Sequence, residues 1–322
     1  MEVEVARWRD FSLVPVIFLI GVIGFIVSPT FLTGDNLIGV VQATSELSLL
    51  VLGEALILIS GRMDLSLEST IGVAPVIAMW LVLPAGGRFA GIDVLPTWMS
   101  IPACLAVGAL IGAFIGFLVL KLRVNGFIAT LGMLVLLRGL QEGISEGQSI
   151  VTIPDSFRYL GKASWIGVPA SVWICLLLFA LGGLALGYLR HGRALYAIGG
   201  NPEAARAAGI RVERLTWLVF IVAAVLAAFA GVLYTGHYGS VSASQGKDWI
   251  FQVFAAAVIG GISLRGGRGT LFGALTGVLT LQLVNNVMTL GGVPAVWFKF
   301  FTGVIILVAL VVSRYVSGEE QE

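Results

Sequence analysis

Several groups able to bind, gate or move protons stand inside long oily runs of this chain. Glu46 and Glu54 are eight positions apart in the run from 36 to 60. Eight residues is about two helical turns, so a helix carries both carboxylates on one face. Such a face is costly against hydrocarbon and belongs to a pathway or a subunit interior. Pairing with a buried Arg or with a backbone break is the other use open to them. Asp64 follows the break at Gly61 and precedes the next apolar run. A carboxylate there can satisfy the free N–H groups that start a helix, or touch a solute. Gln252 enters one apolar run, and Asn285 and Asn286 sit in the middle of another, a turn from Gln282. Amides match hydroxyl groups without bringing charge, and they also tie helices together. Trp249, Phe251 and Phe254 offer flat apolar faces to a ring or to lipid. His237, alone in "YTGHYGS", reads as structural. Cys104 and Cys175 lack metal-like spacing and read as small core residues, so no metal is expected. No Glu-x-x-His, Gly-Lys-Ser/Thr or Gly-x-Ser-x-Gly constellation is present. Without a phosphate loop the chain is not expected to hydrolyse ATP itself, and it needs no cofactor.

The elements that position these groups must be membrane helices. Charged residues make up 11% of the 322, apolar ones 58%, and mean hydropathy is +1.00. Soluble domains carry about 25% charged residues. Lipid is therefore the natural solvent, and 1–322 reads as a single all-α membrane domain. A net charge of +1 predicts no nucleic-acid partner. At about 20 apolar residues per crossing, about ten spans fit, near 11–29, 36–60, 65–84, 98–120, 125–141, 168–189, 213–235, 249–264, 269–290 and 294–313. The second, with its two glutamates, is open to a break. The eighth is short and ends in "GG", so a tilted or discontinuous helix is expected. The run from Phe11 to Ser28 reads as an uncleaved first helix.

Basic residues give the orientation. With the N-terminus inside, the inner loops hold Arg7, Arg9, Arg62, Lys121, Arg123, Arg190, Arg193, Arg206, Arg211, Arg214, Arg265, Arg268 and Arg314, thirteen of 19. Both termini are then cytoplasmic. The outer loop, about 142–167, is balanced in charge and carries Pro154, which suits a platform or lid. There is also an internal echo. "ILISGRMDLSLESTIGVAP" (57–75) and "AVIGGISLRGGRGTLFGAL" (257–275) each place a polar, Gly-bounded break between apolar runs. Interrupted segments at matching places in two halves point to a transporter built from repeats.

One cytoplasmic stretch, about 190–212, is charged. Within it "NPEAARAAG" has the parts of a complete short helix. Asn201 caps the start, Pro202 suits the first position, and Glu203 and Arg206 match the dipole. Gly209 supplies the left-handed stop. The product is about seven residues, roughly 10 Å long. With mostly alanine on its faces it binds lipid weakly and fits the groove of a partner protein better.

"GRALYAIGGNPEAARAAGI", "AAAVIGGISLRGGRGTLFGALTGVL" and "LVNNVMTLGG", with "SGRMDLSLES" and "FIATLGMLVLLRGL" upstream, resemble the ribose-type sugar permeases of bacterial ABC importers. The likeness spans roughly 36–313, in order. It departs at Arg62, at Gly126 and at Ile250, Phe251 and Gln252. The resemblance implies an inner-membrane permease of about ten helices per subunit, paired with a second copy or a close relative. It implies ATP-binding subunits on the cytoplasmic face and a solute-binding protein outside. It makes the helix between two spans a coupling helix, with Gly200, Asn201, Glu203, Ala204, Ala205, Arg206 and Gly209 docking into the ATPase. The solute would be small and polar, a monosaccharide first, with nucleosides or branched-chain amino acids as alternatives. The competing class is a stand-alone secondary transporter using Glu46 or Glu54 as its proton site.

Overall fold

A computed structural model describes residues 13–86 and 89–317. The expectations placed on Arg7 and Arg9 lie outside the described residues. Ten apolar helices occupy the ten predicted runs: α1 (Val14–Val27), α2 (Gly34–Ile59), α3 (Leu67–Val82), α4 (Ser100–Gly116), α5 (Gly126–Ser145), α7 (Ala170–Tyr188), α10 (Val212–Tyr238), α11 (Trp249–Ile259), α12 (Leu271–Leu290) and α13 (Phe298–Ser317). Between them lie α6 (Asp155–Lys162), α8 (Arg190–Gly200) and α9 (Pro202–Ala207). Six of the described helices are long and apolar enough to cross a membrane, α4 together with its flanking turns, and four more are shorter and apolar.

One expectation is corrected. The second run is one unbroken helix of 26 residues, because its glutamates find partners without opening the backbone. A two-residue hairpin, β1 (Ser164–Trp165) with β2 (Val168–Pro169), closes the 142–167 loop, turning through Ile166 and Gly167 at positive φ. The loop also packs on the bundle. Its helix α6 buries Phe157 and lays Gly161 against the end of α10.

The core forms around α10, which packs on α2, α3, α4 and α6. Its sequence explains this. Ala223, Ala224, Ala227, Ala228, Ala230 and Gly231 are all buried, and small residues let helix backbones approach closely where lipid supplies no hydrophobic drive. A side chain at Gly108 of α4 would stand 2.7 Å from the Ala224 carbonyl oxygen, so the contact is backbone on backbone. Both cysteines are buried in this apolar interior.

Within α3, Pro75 has no N–H to offer the carbonyl of Ile71. Gln245 Nε2 donates to that carbonyl instead, at 2.9 Å. Nearby, Arg138 of α5 meets Glu68 of α3 at 3.2 Å and donates to the Gln245 carbonyl at 2.7 Å. The other Glu68 oxygen accepts from the Ile250 amide. Helices α3 and α5 and the start of the short α11 are thus tied by one buried polar network.

Candidate functional site

The charged cytoplasmic segment folds as its sequence dictates. Asn201 leaves helical geometry at φ −157, and its side-chain oxygen accepts from the amides of Glu203 and Ala204 at 2.9 and 3.0 Å. Pro202 opens α9, six residues long. Gly209, at φ +81, turns the chain away, and the Ile210 amide closes the end on the Ala205 carbonyl at 3.0 Å. Gly200, Asn201, Glu203, Ala204, Arg206 and Gly209 are exposed. Ala205 is a correction. It is 3% exposed, packed in a small cluster with Ile198 and Val212, so it anchors the helix and has no face to offer a partner. The preceding helix α8 was not anticipated. Its eleven residues bury Leu195 and Ile198 on one side.

Behind α9 lies a junction of three chain segments. Helix α2 ends in a pair of bonds, Gly61 N to Leu58 O at 2.8 Å and Arg62 N to Ile57 O at 3.1 Å. Helix α11 ends in the same way two hundred positions later, Gly261 N to Val258 O and Ile262 N to Ala257 O, both 2.9 Å. Gly61 and Gly261 take φ +74 and +79, the left-handed stop that glycine adopts freely. The echo at 57–75 and 257–275 is therefore a repeated helix stop. The two breaks meet at the end of α8. The Gly267 amide donates to the Ile59 carbonyl at 2.9 Å, and Tyr196 Oη donates to the Gly269 carbonyl at 2.8 Å. A side chain on Gly199 would collide with the Ile59 carbonyl and the Gly267 amide. One on Gly266 would stand 2.5 Å from Gly61 Cα.

Segments that the basic-residue pattern assigns to one side thus touch one another. Lys121 also lies over the Trp217 ring, 6.0 Å from its centroid, near the start of α10. At the opposite end, Ile150 bridges Val241, Ser156 donates to the Thr97 carbonyl and Gln42 to the Gly161 carbonyl.

The buried polar candidates separate. Glu46, 2% exposed, faces His237 of α10, with Oε1 and Nδ1 2.7 Å apart. Glu54, fully buried, accepts from the backbone N–H of Asp64 at 3.3 Å. The two glutamates share a helix but not a site. Asp64 Oδ1 accepts from the amide and hydroxyl of Ser66, just ahead of α3. Glu54 Oε2 and Asp64 Oδ2 are buried without hydrogen-bond partners. Asn286 exchanges two amide bonds with Asn36 of α2, at 2.8 and 3.0 Å, and so ties α12 to α2. Asn285 Nδ2 donates weakly to Gln282 at 3.4 Å, and Gln252 is half-buried on α11. Sequence reasoning missed the Glu46–His237 and Glu68–Arg138 pairs. The only signal for the second was an arginine in mid-span, which must find an acid.

A bundle of apolar helices, six of them long enough to cross a bilayer, marks a multi-pass membrane protein. Residues 36–310 match the family described as branched-chain amino acid transport system, permease component, and the chain belongs to that family. It is 34% identical over 307 residues to the ribose import permease RbsC of Escherichia coli strain K12, covering 94% of this chain and 92% of the relative. It is 36% identical over 305 residues to the autoinducer 2 import system permease LsrC of Klebsiella pneumoniae, covering 95% and 86%. The L-arabinose transport system permease AraH of E. coli K12 is 32% identical over 308 residues, covering 96% and 91%. No solved structure matches. The chain is accordingly a transport subunit of the bacterial inner membrane.

Proposed function

We propose that this chain is the permease subunit of an ATP-driven importer for a monosaccharide, working by alternating access. It pairs with a second permease, with ATP-binding subunits on the cytoplasmic side and with a solute-binding protein outside. All ten apolar helices enter the membrane, both termini lie inside, and the two broken helices mark pseudo-repeated halves. The observation that carries this reading is the exposed helix α9, stiffly capped and standing on the junction where α2 and α11 stop. A push on α8 and α9 reaches both breaks through backbone contacts at Gly199 and Gly267, with no flexible side chain between. Gly200, Asn201, Glu203, Ala204, Arg206 and Gly209 form the surface that meets the ATPase, with Ala205 as its internal anchor. Glu46, Glu54, Asp64, Gln252, Asn285 and Asn286 remain the proposed route-lining groups, Glu54 and Asp64 only in a conformation that uncovers them. Solute and ATP must favour different states, or no coupling results.

The monosaccharide rests on the relatives, two of which are named for pentoses. A branched-chain amino acid is the second reading, supported by the family's own description. The stand-alone proton-driven alternative loses support because the relatives are named as permease proteins of import or transport systems.

The test is coupling. Substituting Glu203→Lys or Gly209→Val is expected to leave membrane insertion intact while ATP hydrolysis no longer drives uptake. Normal uptake with normal solute-stimulated hydrolysis in both variants would refute the proposal.

A further inference from the structure

The end of the molecule opposite α9 carries an aromatic cluster that the coupling mechanism does not use. Tyr234 and Tyr238, one turn apart on α10, hold their ring centroids 4.4 Å apart at 40°. His237 lies 4.5 Å from the Tyr238 ring, tilted by 37°. Trp249, the first residue of α11, meets Tyr234 edge-on at 5.1 Å. Below the rings, Glu46 of α2 is bonded to His237 Nδ1 and fixes the imidazole. His237 Nε2 has no hydrogen-bond partner among the described residues. The cluster is open, with the His237 side chain 32% exposed and Tyr238 57% exposed.

This surface does not suit lipid. An imidazole held by a carboxylate is costly against hydrocarbon, and polar groups in spans face cavities or routes. Nor is it an apolar docking face, since its floor is an acid–base pair. Its chemistry matches a neutral ring that bears hydroxyls on its edge and C–H bonds on its face. The C–H face packs on the tyrosine and tryptophan rings. The hydroxyls find a donor or acceptor in His237 Nε2, while the buried Glu46 holds the imidazole through Nδ1. The position also fits, because α10 runs from the junction side at Val212 to this end at Tyr238.

We infer that Tyr234, Tyr238, Trp249 and His237, with Glu46 as the positioning residue behind the imidazole, form an entry site that receives a neutral polyhydroxylated ring of pentose size on the side opposite the ATPase. The inference rests on the importer reading above and adds the groups that meet the solute. Trp249 then serves the solute rather than lipid, the two uses its sequence context left open.

The test uses the whole complex in proteoliposomes, with its ATPase and binding protein, and radiolabelled D-ribose and L-arabinose as probes. Tyr238→Ala and Trp249→Ala are each expected to raise the KM for the transported pentose about 3- to 10-fold, the worth of one aromatic contact. Tyr238→Phe, which keeps the ring, should recover most of that loss. Phe251→Ala is the control, since Phe251 is exposed on the same helix but stacks on none of these rings. Unchanged KM in both alanine variants overturns the site while leaving the importer intact. Loss of the permease pair in Tyr238→Ala, seen by size-exclusion chromatography, makes the cluster a subunit interface and also overturns it. Pentose uptake that continues without ATP refutes the importer reading instead. Wild-type complexes that carry neither pentose overturn the entry site as stated.

Discussion

At the scale of single residues, contacts no side chain could make are the most informative. Gly199 sits where any Cβ would strike the Ile59 carbonyl. Gly199→Val is expected to cost about 1–3 kcal/mol by overpacking, seen as a lower midpoint in thermal unfolding of the detergent-solubilised complex. It should also reduce uptake more than that loss of stability accounts for. Asn201→Ala removes a cap that serves two amides. It should destabilise α9 locally by about 1 kcal/mol, read as faster amide exchange at Glu203 and Ala204 with the spans unchanged. The cap was legible in the sequence because its whole signal lies within nine consecutive residues. Ala205 was misplaced because a six-residue helix has an inward side that composition does not mark.

Among elements, the polar network binding α3 and α5 also fixes the start of the short helix α11. Removing one charge of a buried pair costs about 3–5 kcal/mol, because the other is left unpaired. Glu68→Leu or Arg138→Leu alone should therefore be strongly destabilising. The double variant should be closer to wild type, a coupling that a double-mutant cycle in thermal unfolding measures. If the two losses simply add, the pair is not a working unit. Gln245→Leu should expose the defect at Pro75 by leaving the Ile71 carbonyl without a donor, at about 1–3 kcal/mol. None of these pairings was visible in the sequence. Glu46 and His237 are 191 residues apart and Glu68 and Arg138 are 70 apart. Periodicity shows which runs are helical but not which faces meet. The apolar runs themselves were legible almost to their ends, since a membrane helix must carry its own oily length.

For the whole molecule, two ends matter. One gathers the Gly-bounded breaks, α8 and α9, and the other the aromatic cluster and the 142–167 loop. Segments that the basic-residue pattern assigns to the same side touch one another in the fold. Helix α8 and the hairpin escaped the sequence reading, being short elements stabilised by docking rather than by a long periodic signal. The central claim is that α9 is where a separate motor grips the permease. The direct test is crosslinking from a single cysteine at Ala204→Cys, an exposed site in a chain whose own cysteines are buried. A bifunctional maleimide added to inside-out vesicles of the complete transporter should join that cysteine to the ATP-binding subunit, and the yield should change when nucleotide is bound. Labelling of the cysteine by impermeant reagent from the outer face of intact cells, with no adduct to the ATPase, would contradict it.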